Sequence, residues 1–295
     1  MDWVKYIYAR GRIAFSLGPL HFHWYGILIV AGALIGAYVS SREAKRRGED
    51  PNHVWDALFY CLLFGVIGAR LYHVVSYWQN FAQHPLDILR INTGGLAIYG
   101  AAAGGLLATY LYAKLNRLNF LLWADLGSLA LILAQAIARW GNLINQELYG
   151  YPTYLPWAIP IEPDHCLPEL ALYEYFHPLF LYESLWNLLS FAIMLTVARR
   201  FTARLINGDI VLLYGILYPL GRFFLETLRP GPPGPSWWPF RHPLSSLFLD
   251  AAPDPNSWML GGFRVAQAIA FISILLCTSL LIYRHRRRGA PTQRP

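Results

Sequence analysis

Apolar runs recur seven times along this chain, each near the ~20 residues an α-helix needs to cross the hydrocarbon core of a bilayer. They lie at about 22–40, 54–77, 94–112, 121–137, 178–197, 209–227 and 265–283. Hydrocarbon offers backbone N–H and C=O groups no water, so such runs must close their hydrogen bonds internally as helices. Composition agrees: 14% of the residues are charged, against ~25% in an average chain. The expected fold class is all-α, a polytopic membrane protein with seven transmembrane helices in a single domain, residues 1–283. A polar loop rich in Pro and Tyr, about 151–176, is expected to form a small extramembrane cap, and residues 284–295 a basic tail.

The net charge of +7 does not point to nucleic acid, because the basic residues sit in short clusters between apolar runs. That placement is the orientation signal of membrane proteins. Lys and Arg number fourteen after spans one, three, five and seven, against seven on the opposite side. The bias places the N-terminus outside and the C-terminal tail in the cytoplasm. Lys5, Arg10 and Arg12 precede the first span without a small-residue cleavage site, so no cleaved signal peptide is read. Residues through Leu17-Gly18-Pro19 read as an interfacial lead-in, and the loop from Pro230 to Gly262, with Trp237, Trp238 and Trp258, as an aromatic-belt segment. Cys61, Cys166 and Cys277 have no framework spacing and read as packing or incidental residues; no metal-ligand pattern occurs and no cofactor is implied.

Four polar groups interrupt the end of the fourth run: Arg139, Asn142, Asn145 and Glu147 in A-R-W-G-N-L-I-N-Q-E-L-Y-G, closing at Gly150. Arg139 and Asn142 are three apart and share a helix face. Burying such a cation costs ~2.5–3.5 kcal/mol on the insertion scale, which makes it a candidate for binding an anionic headgroup. The alternative is that Arg139 snorkels while the amides satisfy frayed carbonyls. A second group, Tyr218, Arg222, Glu226 and Arg229, follows one helix face near the outer end of the sixth run. An Arg there suits phosphate because its planar fork donates in parallel; the alternative is a self-neutralising Arg222–Glu226 pair.

Further candidates are Tyr99, flanked by glycines in Gly94-Gly-Leu-Ala-Ile-Tyr-Gly100, and Arg70 in Gly68-Ala-Arg-Leu-Tyr-His73. Tyr99 also fits an interfacial anchor, and Arg70 a structural pin. His177-Pro-Leu-Phe-Leu-Tyr-Glu183 places a carboxylate inside an apolar run, where it needs a partner or a proton; a buried Arg is the expected partner.

Taken together, His23-Trp-Tyr25-Gly26, Gly68-x-Arg70, Gly94-Gly-Leu-Ala-Ile-Tyr-Gly100, the Arg139–Gly150 block, His177-Pro-x-x-Leu-Tyr-Glu183 and Arg222-x-x-x-Glu226-x-x-Arg229 resemble, in order, the motifs of the prolipoprotein diacylglyceryl transferase family. The resemblance implies a seven-span inner-membrane enzyme with a periplasmic head. Its partners would be phosphatidylglycerol, other membrane lipid, and a prolipoprotein signal peptide bearing a lipobox Cys. The implied reaction moves the diacylglyceryl group onto that thiol and releases glycerol 1-phosphate. On this reading Arg139 and Arg222 take the phosphate, Glu226 and Asn142 hold the geometry, and Tyr25 and Tyr218 bracket the headgroup. Arg70, Asn145, Glu147, Gly150, His177, Glu183 and Arg229 complete the substrate-binding set.

Tyr99 stands where some family members have a His proposed as base. A phenol near pKa ~10 is a poor base unless adjacent cations lower it, so the alternative is that the arginines lower the substrate thiol's own pKa. A transporter for an anionic solute and a non-catalytic lipid-binding scaffold are the competing classes. The first predicts midplane sites in repeated halves, which the sequence does not display.

Overall fold

Asp2–Ala9 forms helix α1, and a hairpin of β1 (Ile13–Leu17) and β2 (Leu20–His23) leads into α2 (Trp24–Arg46). Helices α3 (Asn52–Ser76), the short α4 (Trp78–Gln83), α5 (Ile98–Leu115) and α6 (Phe120–Asn145) follow. Strands β3 (Ile159–Pro160) and β4 (Tyr175–Phe176) precede α7 (Leu179–Arg200) and α8 (Asp209–Leu225), which tightens into a 3₁₀ turn, Glu226–Leu228. A two-residue pair, β5 (Met259–Leu260) and β6 (Phe263–Arg264), opens onto α9 (Val265–Gly289). This computed structural model describes residues 2–9, 11–18, 20–89, 95, 97–230, 259–260 and 263–289; Gly94, most of the Trp-rich loop and the end of the tail lie outside them.

The chain is predominantly helical, as the apolar runs require. Six described helices are long and apolar enough to cross a membrane. The expected third span is the remaining long helix, α5, at 18 residues, or ~27 Å at 1.5 Å per residue; it is not among those six. Two boundaries differ instructively. The helix of the first expected span, α2, begins at Trp24, because Phe22 and His23 belong to β2. That of the fourth expected span, α6, continues to Asn145, so Arg139 and Asn142 sit within a helix and not beyond one.

Contacts divide the chain into two units, one built from residues up to Gly36 and from Ser128 onward, the other from Ala37–Gly127. In the second, α3 and α5 meet backbone to backbone. A Cβ on Gly104 would sit 3.3 Å from the Cα of Gly68, and one on Gly100 would meet the Gly68 carbonyl carbon at 2.8 Å. Without a hydrophobic force between helices in lipid, small residues win by letting backbones approach. Buried Ser40 donates to the Leu126 carbonyl at 2.6 Å in the same unit.

In the first unit, α7 presents Met194 and Ala198 to Leu129 and Ile132 of α6 and Ile210 of α8, all fully buried. Residues 151–176, the head segment, pack round a second core: Ile159, Ile161, Leu170 and Phe176 meet Leu143 of α6 and Phe180 of α7. Val4 of α1 is buried in that core and Tyr8 donates to the Pro160 carbonyl at 2.9 Å, so the lead-in is part of the head. Cys166 lies against the head core, where burial pushes its thiol up to about 11, a poor nucleophile.

Candidate active site

Glu183 is the joint of the first unit. It sits in the first turns of α7 on the buried face, and its side chain is 6% exposed. One oxygen takes Arg139 Nε of α6 at 2.6 Å, and the other takes Arg222 Nη1 of α8 at 2.6 Å. Arg222 then reaches Glu226 Oε2 through Nη2 at 2.8 Å, and Arg229 approaches Glu226 Oε1 at 3.9 Å. The carboxylate expected to find one arginine therefore holds two, and the two arginines singled out for phosphate flank a single group. Arg222 does pair with Glu226, yet the pair is not closed on itself. The chain Arg139–Glu183–Arg222–Glu226–Arg229 carries three cations against two anions, a formal surplus of one positive charge. That surplus matches a singly charged phosphodiester.

The polar block after Arg139 folds as a helix terminus. Glu147 receives Asn142 Nδ2 at 3.3 Å and Asn145 Nδ2 at 3.1 Å, while its own N–H donates to the Asn142 carbonyl at 2.8 Å. Gln146 and Leu148 adopt left-handed backbone, φ 57 and 54, which turns the chain off the α6 axis. Gln146 exchanges hydrogen bonds of 2.8 Å with the Glu162 side chain and backbone of the head. Asn142 is buried, and its Oδ1 has no partner among the described residues. Tyr25, in the first turn of α2, lies against the backbone of Gly141, where any Cβ would collide with its ring. Tyr218 stacks on Tyr214 with centroids 5.5 Å apart.

Gly150 lies where three segments converge: its N–H donates to the His177 carbonyl at 2.8 Å, and a Cβ would sit 2.9 Å from the Leu228 carbonyl oxygen. Burial pushes the His177 imidazole below its ordinary value, so it is neutral at pH 7. Trp157 Nε1 donates to the Tyr182 hydroxyl at 2.7 Å, and that hydroxyl meets His177 Nδ1 at 3.1 Å. Since Trp is only a donor, Tyr182 is free to donate onward to a neutral Nδ1. This relay, like the bond from Trp140 to Ser184 at 3.2 Å, has no signature in residue spacing.

Two candidates belong to the second unit. Arg70 is buried and spends its guanidinium on loop carbonyls, Nε to Ile88 at 2.9 Å, Nη1 to Gly95 at 3.2 Å and Nη2 to Asp87 at 2.5 Å. These contacts tie α3 to Asp87, Ile88 and Gly95. Tyr99 opens α5, is 73% exposed, and has Tyr72 as a ring neighbour at 6.2 Å. Among the described residues no cluster of His, Cys, Asp and Glu could hold a metal.

The fold and this ion chain define a class: a polytopic membrane protein that keeps a charged cluster at the end of its spans. A family model for prolipoprotein diacylglyceryl transferases matches residues 12–283. A phosphatidylglycerol–prolipoprotein diacylglyceryl transferase of Chloroflexus aggregans is 40% identical over 292 residues, covering 94% of this chain and 90% of its own. Proteins of the same name from Trichormus variabilis (38% identical; 96% and 93% covered) and Staphylococcus aureus (34%; 95% and 91%) are also similar. The chain belongs to the prolipoprotein diacylglyceryl transferase family.

Proposed function

We propose that this protein transfers the sn-1,2-diacylglyceryl group of phosphatidylglycerol to the lipobox Cys thiol of prolipoproteins, in the inner membrane of a bacterial cell. The observation that carries the assignment beyond family membership is the pair of guanidiniums, from α6 and α8, held on either side of Glu183.

The reaction is a displacement at the glyceryl carbon that bears the phosphate. The thiolate sulfur forms a bond to that carbon, the carbon–oxygen bond breaks, and its electron pair leaves on glycerol 1-phosphate; the thiol proton goes to solvent or a base. Charge on the phosphate grows from one toward two as the diester becomes a monoester. Arg139 and Arg222 stabilise this growing charge, and do so more strongly in a dry site than in water. Glu183 and Glu226 fix both forks beforehand, so little reorganisation is needed at the moment of reaction. Asn142 Oδ1 accepts from a headgroup hydroxyl, Tyr25 and Tyr218 bracket the headgroup, and Asn145, Glu147, Gly150, His177 and Arg229 hold the surrounding frame. Arg70 orders its own loop. Thiol deprotonation is assigned to the positive surplus of the cluster, which lowers the thiol's pKa from ~8.5, and Tyr99 does not take the proton.

Incubating the purified protein in phosphatidylglycerol vesicles with a lipobox peptide tests this. Glycerol 1-phosphate should appear in proportion to lipidated peptide, and a Cys→Ser peptide should give none. Release that ignores the peptide thiol, or solute uptake in its place, contradicts the assignment. Loss of turnover in Tyr99→Phe with lipid binding retained would return the proton to Tyr99.

A further inference from the structure

Deeper along the seam between α6, α7 and α8, the buried face of α7 stays polar for two more turns. Glu183, Asn187 and Ser190 recur at i, i+4 and i+7 on that face, so Asn187 and Ser190 lie ~6 Å and ~10.5 Å further along the helix than Glu183. Both are more than nine-tenths buried, and neither Asn187 Nδ2 nor Ser190 Oγ has a hydrogen-bond partner among the described residues. Other hydroxyls of this unit behave differently: Ser184 donates to the Ala136 carbonyl and Thr202 to the Ala198 carbonyl, both at 2.8 Å. Across the seam, Gln135 donates to Tyr214 at 3.1 Å. Below Ser190 the lining turns apolar at Met194.

An unpaired amide and hydroxyl inside hydrocarbon are costly, and apolar residues of similar size would pack there without that cost. Two donors kept in this place answer to an acceptor that arrives with a ligand. Helix α8, which packs against α7, lacks one internal hydrogen bond. It contains Pro219, which has no N–H to offer the Gly215 carbonyl, and that carbonyl takes the Ser273 hydroxyl at 2.9 Å. Leu213, Leu217 and Tyr218 on the same helix are only partly buried.

We propose that Asn187 and Ser190 donate hydrogen bonds to the ester carbonyls of the diacylglyceryl group and so select a diacyl lipid. The proposal rests on the phosphate site assigned above: a glycerophospholipid held there carries its ester carbonyls on the acyl-chain side of its phosphate, the direction in which these donors lie from Glu183. The chemistry recognised is the fatty ester itself, an acceptor that an ether-linked lipid of the same shape lacks.

The test compares kcat/KM for diester and diether phosphatidylglycerol of matched chains, in the full-length protein and in Asn187→Leu and Ser190→Ala. A lost neutral hydrogen bond is worth about two- to tenfold, so the unaltered protein should prefer the diester by about tenfold and each variant should move that ratio toward one. Because the donors are unpaired without lipid, neither variant should lower the unfolding temperature in lipid-free detergent. Equal use of both lipids by the unaltered protein, or a ratio unchanged in both variants, overturns the proposal while leaving the transferase assignment standing. Variants destabilised without lipid at an unchanged ratio mark the pair as structural and overturn it too. No glycerol 1-phosphate from either lipid overturns the assignment itself, and this proposal with it.

Discussion

Glu183 holds one guanidinium on each oxygen, and that arrangement fixes what substitutions there should do. Glu183→Gln keeps the shape and removes the charge, leaving Arg139 without its anchor and Arg222 with only Glu226. Breaking a buried pair from one side costs about 3–5 kcal/mol, so the variant should unfold at a distinctly lower temperature and turn over at least tenfold more slowly. Unchanged melting would mean that the carboxylate is not a joint. Arg222→Lys is not conservative here, since a single ammonium cannot replace two separate N–H contacts to Glu183 and Glu226; vesicle turnover should fall nearly as far as in Arg222→Ala. His177 gives a pH signature. Its folded pKa lies below the ordinary 6.5 because it is buried, so below that value the unfolded chain binds more protons than the folded one. Stability should be full above ~6.5 and fall as pH drops from there toward the folded pKa. Thermal melts across that window should show the fall in the parent and a flatter profile in His177→Asn.

Helix-scale packing was the most legible part of the sequence. The second and third runs carry Gly65, Gly68, Gly100, Gly104 and Gly105, small residues that let backbones approach in lipid, and α3 and α5 pack through Gly68, Gly100 and Gly104. Gly104→Val should therefore overpack this contact and destabilise by about 1–3 kcal/mol, measured as a lower unfolding temperature; a neutral result would argue against the backbone contact. Other features could not be read. Counting apolar residues stops at Arg139, whereas the helix stops only where backbone hydrogen bonding does, at Asn145. The hairpin at 13–23 is too short and too apolar to separate from a span's lead-in, although Gly18, at φ 58, marked its turn. The joining of Arg139 to Glu183 spans 44 residues. Motif spacing could place each residue on a helix face but not say which carboxylate lies between the arginines.

For the molecule as a whole, the charge bias predicts a basic C-terminal end in the cytoplasm and the proposed phosphate chemistry at the outer face. In a background lacking Cys61, Cys166 and Cys277, a membrane-impermeant maleimide should label Ser16→Cys in intact cells and Arg287→Cys only after lysis; the reverse pattern would invert the topology. The central claim is that Arg139 and Arg222 serve one phosphate, and a double-mutant cycle reads it most directly. Arg139→Ala, Arg222→Ala and the double variant would be compared by kcat/KM for glycerol 1-phosphate release, with membrane insertion checked for each. Groups that act as a unit are grossly non-additive, so each single change should cost at least about a hundredfold, as for a lost charge-stabilising donor, and the double little more than either. Near-normal turnover in either single variant, or losses that simply multiply, would contradict a shared phosphate.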